Sequence, residues 1–313
     1  MVCNLIGGIT YPLQKMALRG LPPVPVSALR SALGLALMAG WLAARGKRLW
    51  PFDARDQRLL GILGIFGMAL PILAGAEGVQ RSTSANASVL ILLEPVSIVL
   101  FARLLLGERM GGRRAAGLAL GLAGALAIVT EGFTAGPDLL GGEHLLGNGL
   151  LALSGILWGL YTPLMKPLTG RHDPVALALG AIAFSVLFFA GPAAGELRGF
   201  HPGPGLGEAL LCTAALGVLG SFLGTVLWTA ALKDIPANAV APLILLQPVV
   251  GAGTGWLLLG ERLTLQAALG GALVGAGVLL SLSGEEPAAT PPQRSPGLPS
   301  GLGGGDGASG SMS

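Results

Sequence analysis

Charge is what this sequence has least of. Only 11% of its 313 residues are Asp, Glu, Lys or Arg, against about 25% in soluble domains. Hydrophobic residues make up 52% and the mean hydropathy is +0.72. A single water-soluble core is thereby excluded, and lipid has to be the solvent. The net charge of +3 is small and its basic residues are scattered in ones and twos, which excludes a nucleic-acid surface. Cysteines number two, Cys3 and Cys212, both in apolar runs without a Cys or His partner at ligand spacing; they read as small apolar fillers. His144, His172 and His201 fall between apolar runs, with no ligand or nucleophile partner at useful spacing. HExxH, GxSxG and a phosphate-cradling Walker loop are all missing, and the glycines at 303–305 lack a following GK[ST]. These absences exclude a recognisable enzyme site, a metal centre and a nucleotide-driven pump; no cofactor is expected.

What is present is a long series of apolar segments. A run of about 17–25 residues can cross the hydrocarbon, and ten are predicted, at 2–18, 25–44, 59–79, 85–106, 113–130, 145–165, 174–194, 208–231, 237–259 and 264–283. The first is short and begins at the initiator Met without a basic n-region or cleavage site, so a start assigned too late is one expectation for it. Beyond Gly284 large apolar residues almost vanish, and 284–313 is expected to be a disordered tail.

The chain repeats itself. ANASVLILLEPVSIVLFARLLLGER (85–109) has a near copy in ANAVAPLILLQPVVGAGTGWLLLGER (237–262), with Glu94-Pro95 falling on Gln247-Pro248 at an offset of 153. Near the start of each half, GITYPLQK (8–15) falls on GLYTPLMK (159–166) at an offset of 151. The predicted domains are therefore 1–131 and 145–283, each with five spans. Five is odd, so the second half enters the membrane with opposite polarity, as in many secondary transporters. The fold class predicted is an all-α polytopic membrane protein of ten transmembrane helices in two inverted five-helix repeats. With the N-terminus inside, twelve Lys and Arg residues face the cytoplasm and four (Arg19, Arg81, Arg198 and Arg262) face outward. The excess places both termini inside.

Ionisable groups inside spans are costly and so are candidates for function. Glu94 lies near mid-helix, where a carboxylate faces a watered cavity, pairs with a cation, or is protonated by desolvation. It is the candidate proton-coupling residue. Arg30 reads either as a clamp holding helices or as a fork for a substrate carboxylate. Glu77 reads as a rim residue, and Lys15, Lys166 and Arg103 as interfacial anchors. Aromatics are only 5% of the chain, and Tyr11, Trp158, Tyr161 and Trp228 are the ones placed to line a cavity or an interfacial belt. Gln247 completes the candidate cavity set. Pro95 and Pro248 remove a donor mid-helix and free a carbonyl four residues earlier. Glycines four apart, at Gly117/Gly121, Gly220/Gly224, Gly251/Gly255 and Gly271/Gly275, read as packing seams.

ALRGLPPVPVSALRSALG, TSANASVLILLEPVSIVLFARLLLGER and LLQPVVGAGTGWLLLGERLTLQAALGGALVGAGVLL together resemble EamA-type members of the drug/metabolite transporter superfamily, over about 1–283. The resemblance implies ten helices, a bacterial inner membrane, and movement of small metabolites, commonly amino acids or related compounds, usually outward. Second copies in that family often carry Glu before the Pro, where this chain has Gln247. The expected function is secondary transport by alternating access. A sugar-phosphate or nucleotide-sugar carrier is the alternative within the class, and a non-transporting integral membrane protein the alternative outside it. The partners expected are a small-molecule substrate and the lipid bilayer, with a homodimer left open.

Overall fold

The computed structural model describes residues 1–82, 86, 89–130, 144–259 and 265–283. The predicted tail, 284–313, lies outside these. Every regular element among the described residues is helical: α1 (Val2–Ala17), α2 (Pro23–Ala44), α3 (Ala54–Gly64), α4 (Leu70–Gln80), α5 (Leu93–Leu106), α6 (Gly112–Val129), α7 (Leu145–Thr169), α8 (Pro174–Arg198), α9 (Leu206–Leu216), α10 (Thr225–Asp234), α11 (Ala237–Ile244), α12 (Leu246–Leu259) and α13 (Leu265–Leu282). A π-helical turn, Ile65–Ala69, joins α3 to α4, and another, Gly217–Gly224, joins α9 to α10. Eight helical stretches among the described residues are long and apolar enough to cross a membrane. The other two predicted spans are shorter in the structure. The first is α1, with 16 residues, and the fourth is α5, with 14 residues preceded by helical Asn86, Val89 and Leu90.

Proline explains where two helices break. Pro95 and Pro248 have no N–H, and their rings crowd the carbonyl four residues back. The chain accordingly turns at residues 91–92 before α5, and at Leu245 between α11 and α12. There Glu94 N–H bonds to the Ile91 carbonyl at 3.0 Å and Leu245 N–H to that of Pro242 at 3.3 Å, both the tighter i to i−3 pattern.

The two halves interleave. The first helix of each half packs on the polar-Pro step of the other half, because glycine leaves room for backbone. A Cβ on Gly8 would meet the Gln247 carbonyl oxygen at 2.9 Å, and a Cβ on Gly159 would meet that of Glu94 at 3.0 Å. Gly8 and Gly159 are equivalent positions of the repeat. The π turns obey the same rule: Gly67 lies against Tyr161 of α7, and Gly220 against Arg30 of α2. Helices α6 and α13 close the arrangement. Gly117 faces Gly277 and Gly124 faces Gly270, early residues of one helix against late residues of the other, so the pair runs antiparallel. Bare glycine surfaces let these backbones approach where lipid supplies no hydrophobic drive between helices. The predicted seam on α13 is corrected here. Gly270 and Gly277 form it, whereas a Cβ on Gly275 would meet nothing within 4 Å and one on Gly271 only the Val249 side chain, at 3.5 Å.

Polar residues tie the helix ends. Lys47 Nζ and the Asp173 carboxylate pair at 2.5 Å, and the buried Asp56 carboxylate accepts from Arg171 Nη2 at 2.7 Å and lies 2.6 Å from His172 Nε2. Lys166 is more than the interfacial anchor the sequence suggested. Its ammonium donates to the carbonyls of Leu232 at 2.5 Å and Ile235 at 2.8 Å, stopping α10. Glu77 pairs with Arg81 one turn on, at an exposed rim.

Candidate substrate site

Glu94 and Gln247 stand at the same step of matched helices, each just after a break and just before a proline. Both are half-buried. Gln247 Nε2 donates to Asn4 Oδ1 of α1 at 3.1 Å, and its amide lies over Gly7, where a Cβ would come within 2.9 Å of it. The Glu94 carboxylate has no hydrogen bond or ion pair among the described residues. Its backbone crosses α7 at Gly155 and Gly159, one turn of helix that also carries the half-buried Trp158.

Arg30 is not brought to Glu94. Its Nε donates to Ser221 Oγ at 3.1 Å, and its Nη2 and the Thr10 methyl occupy the space a Cβ on Gly220 would need, 2.6 and 3.3 Å from it. Tyr161 is buried against Gly67, and its hydroxyl lies beside Thr229 without a hydrogen bond of normal length. Trp228 Nε1 donates to Thr162 Oγ1 at 3.2 Å, so its indole also stitches α10 to α7. Tyr11 lies on α1, and its side chain is outside what is described. The predicted residues thus fall into three groups: Gln247 with Asn4, Arg30 with Thr10 and Ser221, and Glu94, Trp158, Tyr161 and Trp228 around α7.

Sequence reasoning passed over Asn4, Ser221 and Thr229. A polar residue in a bilayer span must find a partner, and Asn4, Ser221 and Thr229 are each 5% exposed or less. The signal available in the sequence was polarity inside an apolar run: Asn4 interrupts the first run at the position matching Gly155. A recess of about 630 Å³ opens elsewhere, between residues 18–23 and 200–205, and holds none of the predicted site residues.

Long apolar helices, a duplicated chain whose halves interleave, and polar side chains at matched helix breaks are the build of a multi-pass membrane transport protein. The EamA-like transporter family model matches residues 1–130 and again 145–283, and the chain belongs to that family. It is 29% identical over 268 residues to a Streptantibioticus cattleyicolor protein named "Probable terminal-alkyne amino-acid exporter", covering 84% of this chain and 86% of that one. An Escherichia coli protein named "Probable amino-acid metabolite efflux pump" is 26% identical over 294 residues, 90% of this chain and 92% of that one. An uncharacterized Pseudomonas aeruginosa protein is 39% identical over 189 residues, and the match spans 58% of its length. A crystal structure with 23% identity superposes with a TM-score of 0.75 over 89% of this chain and 93% of its own, a likeness of fold.

Proposed function

We propose that this protein exports a small metabolite, an amino acid or related compound, across a bacterial inner membrane by alternating access. In this reading it has ten spans in two inverted repeats, 1–131 and 145–283, both termini in the cytoplasm, and a substrate site between the repeats. The observation that carries the reading is the pair of broken helices, each packed on the opposite repeat, with a carboxylate at one step and an amide at the other. The antiparallel contact of α6 with α13, matching helices of the two repeats, supports their inversion. Two relatives named as exporters of amino acids or their metabolites support the substrate class. Glu94 is the one step of the two that can exchange a proton; Gln247 can hydrogen-bond in every state without changing charge.

The test is efflux of labelled leucine and phenylalanine from proteoliposomes, with and without an imposed pH gradient. Glu94→Gln is expected to fold and bind but to lose the pH dependence, while Gln247→Glu shifts it. An unchanged pH dependence in Glu94→Gln removes Glu94 from coupling. Failure of the folded wild-type protein to move any amino acid in a full panel sinks the substrate class.

A further inference from the structure

Resting on the transporter reading above, we infer that Arg30 and Ser221 form the subsite that holds the carboxylate of the substrate. The two halves of the molecule are alike in backbone at this point and unlike in chemistry. In one half, the π turn at Gly67 is covered by the ring of Tyr161, and the neighbouring helix presents Ala181. In the other, the equivalent π turn at Gly220 is covered by Arg30, and the position matching Tyr161 is Thr10. A phenol and a methyl group in one half are therefore replaced by a hydroxyl and a guanidinium in the other. π turns inside helices gather at functional sites, and these two occupy the same place in both repeats.

Hydrogen-bond accounting says that the guanidinium is incomplete. It has five N–H donors, and among the described residues its one hydrogen bond is the 3.1 Å contact from Nε to the neutral Ser221 hydroxyl. No carboxylate pairs with it among the described residues. Thr10 accepts no hydrogen bond from Arg30: its methyl is the part that lies near Nη2 at Gly220, and its hydroxyl donates to the Gly7 carbonyl at 2.6 Å. A cation within a span needs water or an anion to offset its desolvation. The two Nη groups donate to no acceptor among the described residues, and their fork matches the two oxygens of a carboxylate. One positive charge among neutral hydroxyls suits a singly charged carboxylate better than a phosphate, which calls for more cationic groups. Gly220 keeps the floor of the subsite bare, since a Cβ there would lie 2.6 Å from Nη2.

The experiment measures binding to the purified full-length protein in nanodiscs, by thermal shift and calorimetry. The probes are the twenty L-amino acids, followed by the amides of those that bind, leucinamide and phenylalaninamide among them. The wild type is expected to bind acids and to bind the matching amides on the order of 100-fold more weakly, the scale for leaving a buried charge unpaired. Arg30→Gln is expected to lose affinity for the acids by a similar factor and to stop distinguishing them from amides. Arg30→Lys, a point charge without the fork, should recover part of both. Amides that bind the wild type as well as acids do overturn the subsite and leave the exporter reading standing. So does an Arg30→Lys or Arg30→Gln protein that melts lower yet discriminates as the wild type does, which marks Arg30 as a helix clamp. If Arg30→Gln does not fold, the wild-type amide comparison and Arg30→Lys decide alone. A wild type that binds no amino acid removes the substrate class, and this inference with it.

Discussion

The Glu108 carboxylate accepts the backbone N–H of Asn238 at 2.9 Å, with its other oxygen taking that of Ala237 at 3.0 Å. An acid from the LLLGER motif of one half thereby caps the first turn of α11 in the other half. Asn238 returns the contact, donating to the Arg109 carbonyl at 3.3 Å and accepting from Arg114 at 3.1 Å. Those first N–H groups have no partner within the helix, and a negative charge suits a helix N-terminus. Glu108→Ala is expected to destabilise the protein by about 1–2 kcal/mol, as lost caps do, and Glu108→Gln by less, since the amide oxygen still accepts. Melting of the detergent-solubilised variants measures both; an unchanged Glu108→Ala melt shows that the cap is replaced by water.

Asp173 offers a pH test at the helix ends. Burial tends to raise its carboxyl, but the hydrogen bond from Lys47, the backbone N–H groups of Val175 and Ala176, and the Lys47 charge outweigh it, so the group sits below its ordinary value of 3.8. A depressed carboxyl contributes stability that is present above the unfolded value and is lost as the pH falls through the folded one. The tie should therefore hold at neutral pH and fade below about pH 4. Lys47 is half-exposed, which limits the pair itself to less than about 1 kcal/mol. Asp173→Asn can still cap Val175 and should cost little, whereas Asp173→Ala loses cap and pair and should cost about 1–2 kcal/mol. Melts at pH 7 and at about pH 2.5, well below the ordinary carboxyl value, compare them, and equal losses at both pH values rule out the ionised pair.

The glycines of α6 and α13 should sort by what faces them. A Cβ on Gly124 would meet the Gly270 carbonyl oxygen at 2.5 Å and the Val274 nitrogen at 2.7 Å, and backbone cannot step aside as a side chain does. Gly124→Ala is expected to lower the melting temperature and Gly124→Val to prevent folding. Gly275→Ala meets nothing and should be neutral or stabilising by up to about 1 kcal/mol, the helix propensity difference. The reverse order would overturn the antiparallel contact.

Topology can be read with reporters. The Lys47–Asp173 and Asp56–Arg171 pairs join the loop at 45–53 and the first turn of α3 to the loop at 170–173. Reporters at Arg48 and Arg171 should therefore label from the same side, and the distribution of Lys and Arg predicts that this side is the cytoplasm. Arg198 should label from outside. Arg48 and Arg171 on opposite sides would contradict the inversion; both outside would reverse the orientation of the whole chain.

Much of the architecture was legible because lipid imposes simple rules. Apolar length marks a span, and the matching of Glu94-Pro95 with Gln247-Pro248 marks a repeat before any contact is known. The proline breaks were legible too, since a missing N–H acts locally. Local pattern misled where the partner is distant in sequence. His172 looked unpartnered because Asp56 is 116 residues away, and Lys166 looked like an interfacial anchor because the carbonyls it caps are 66 and 69 residues on.

The sequence by itself determined that the chain is apolar, duplicated and punctuated by polar-Pro steps, since periodicity and composition are properties of one strand of residues. Only the tertiary structure decided that each half packs on the other's broken helix, that Gly270 and Gly277 rather than Gly271 and Gly275 face α6, and that Arg30 meets Ser221 instead of Glu94. A helix presents every residue to some direction, and a shift of one position turns a glycine about 100° around the axis. Which direction holds a neighbour is set by the packing of all the helices together, and no stretch of the chain carries that information alone.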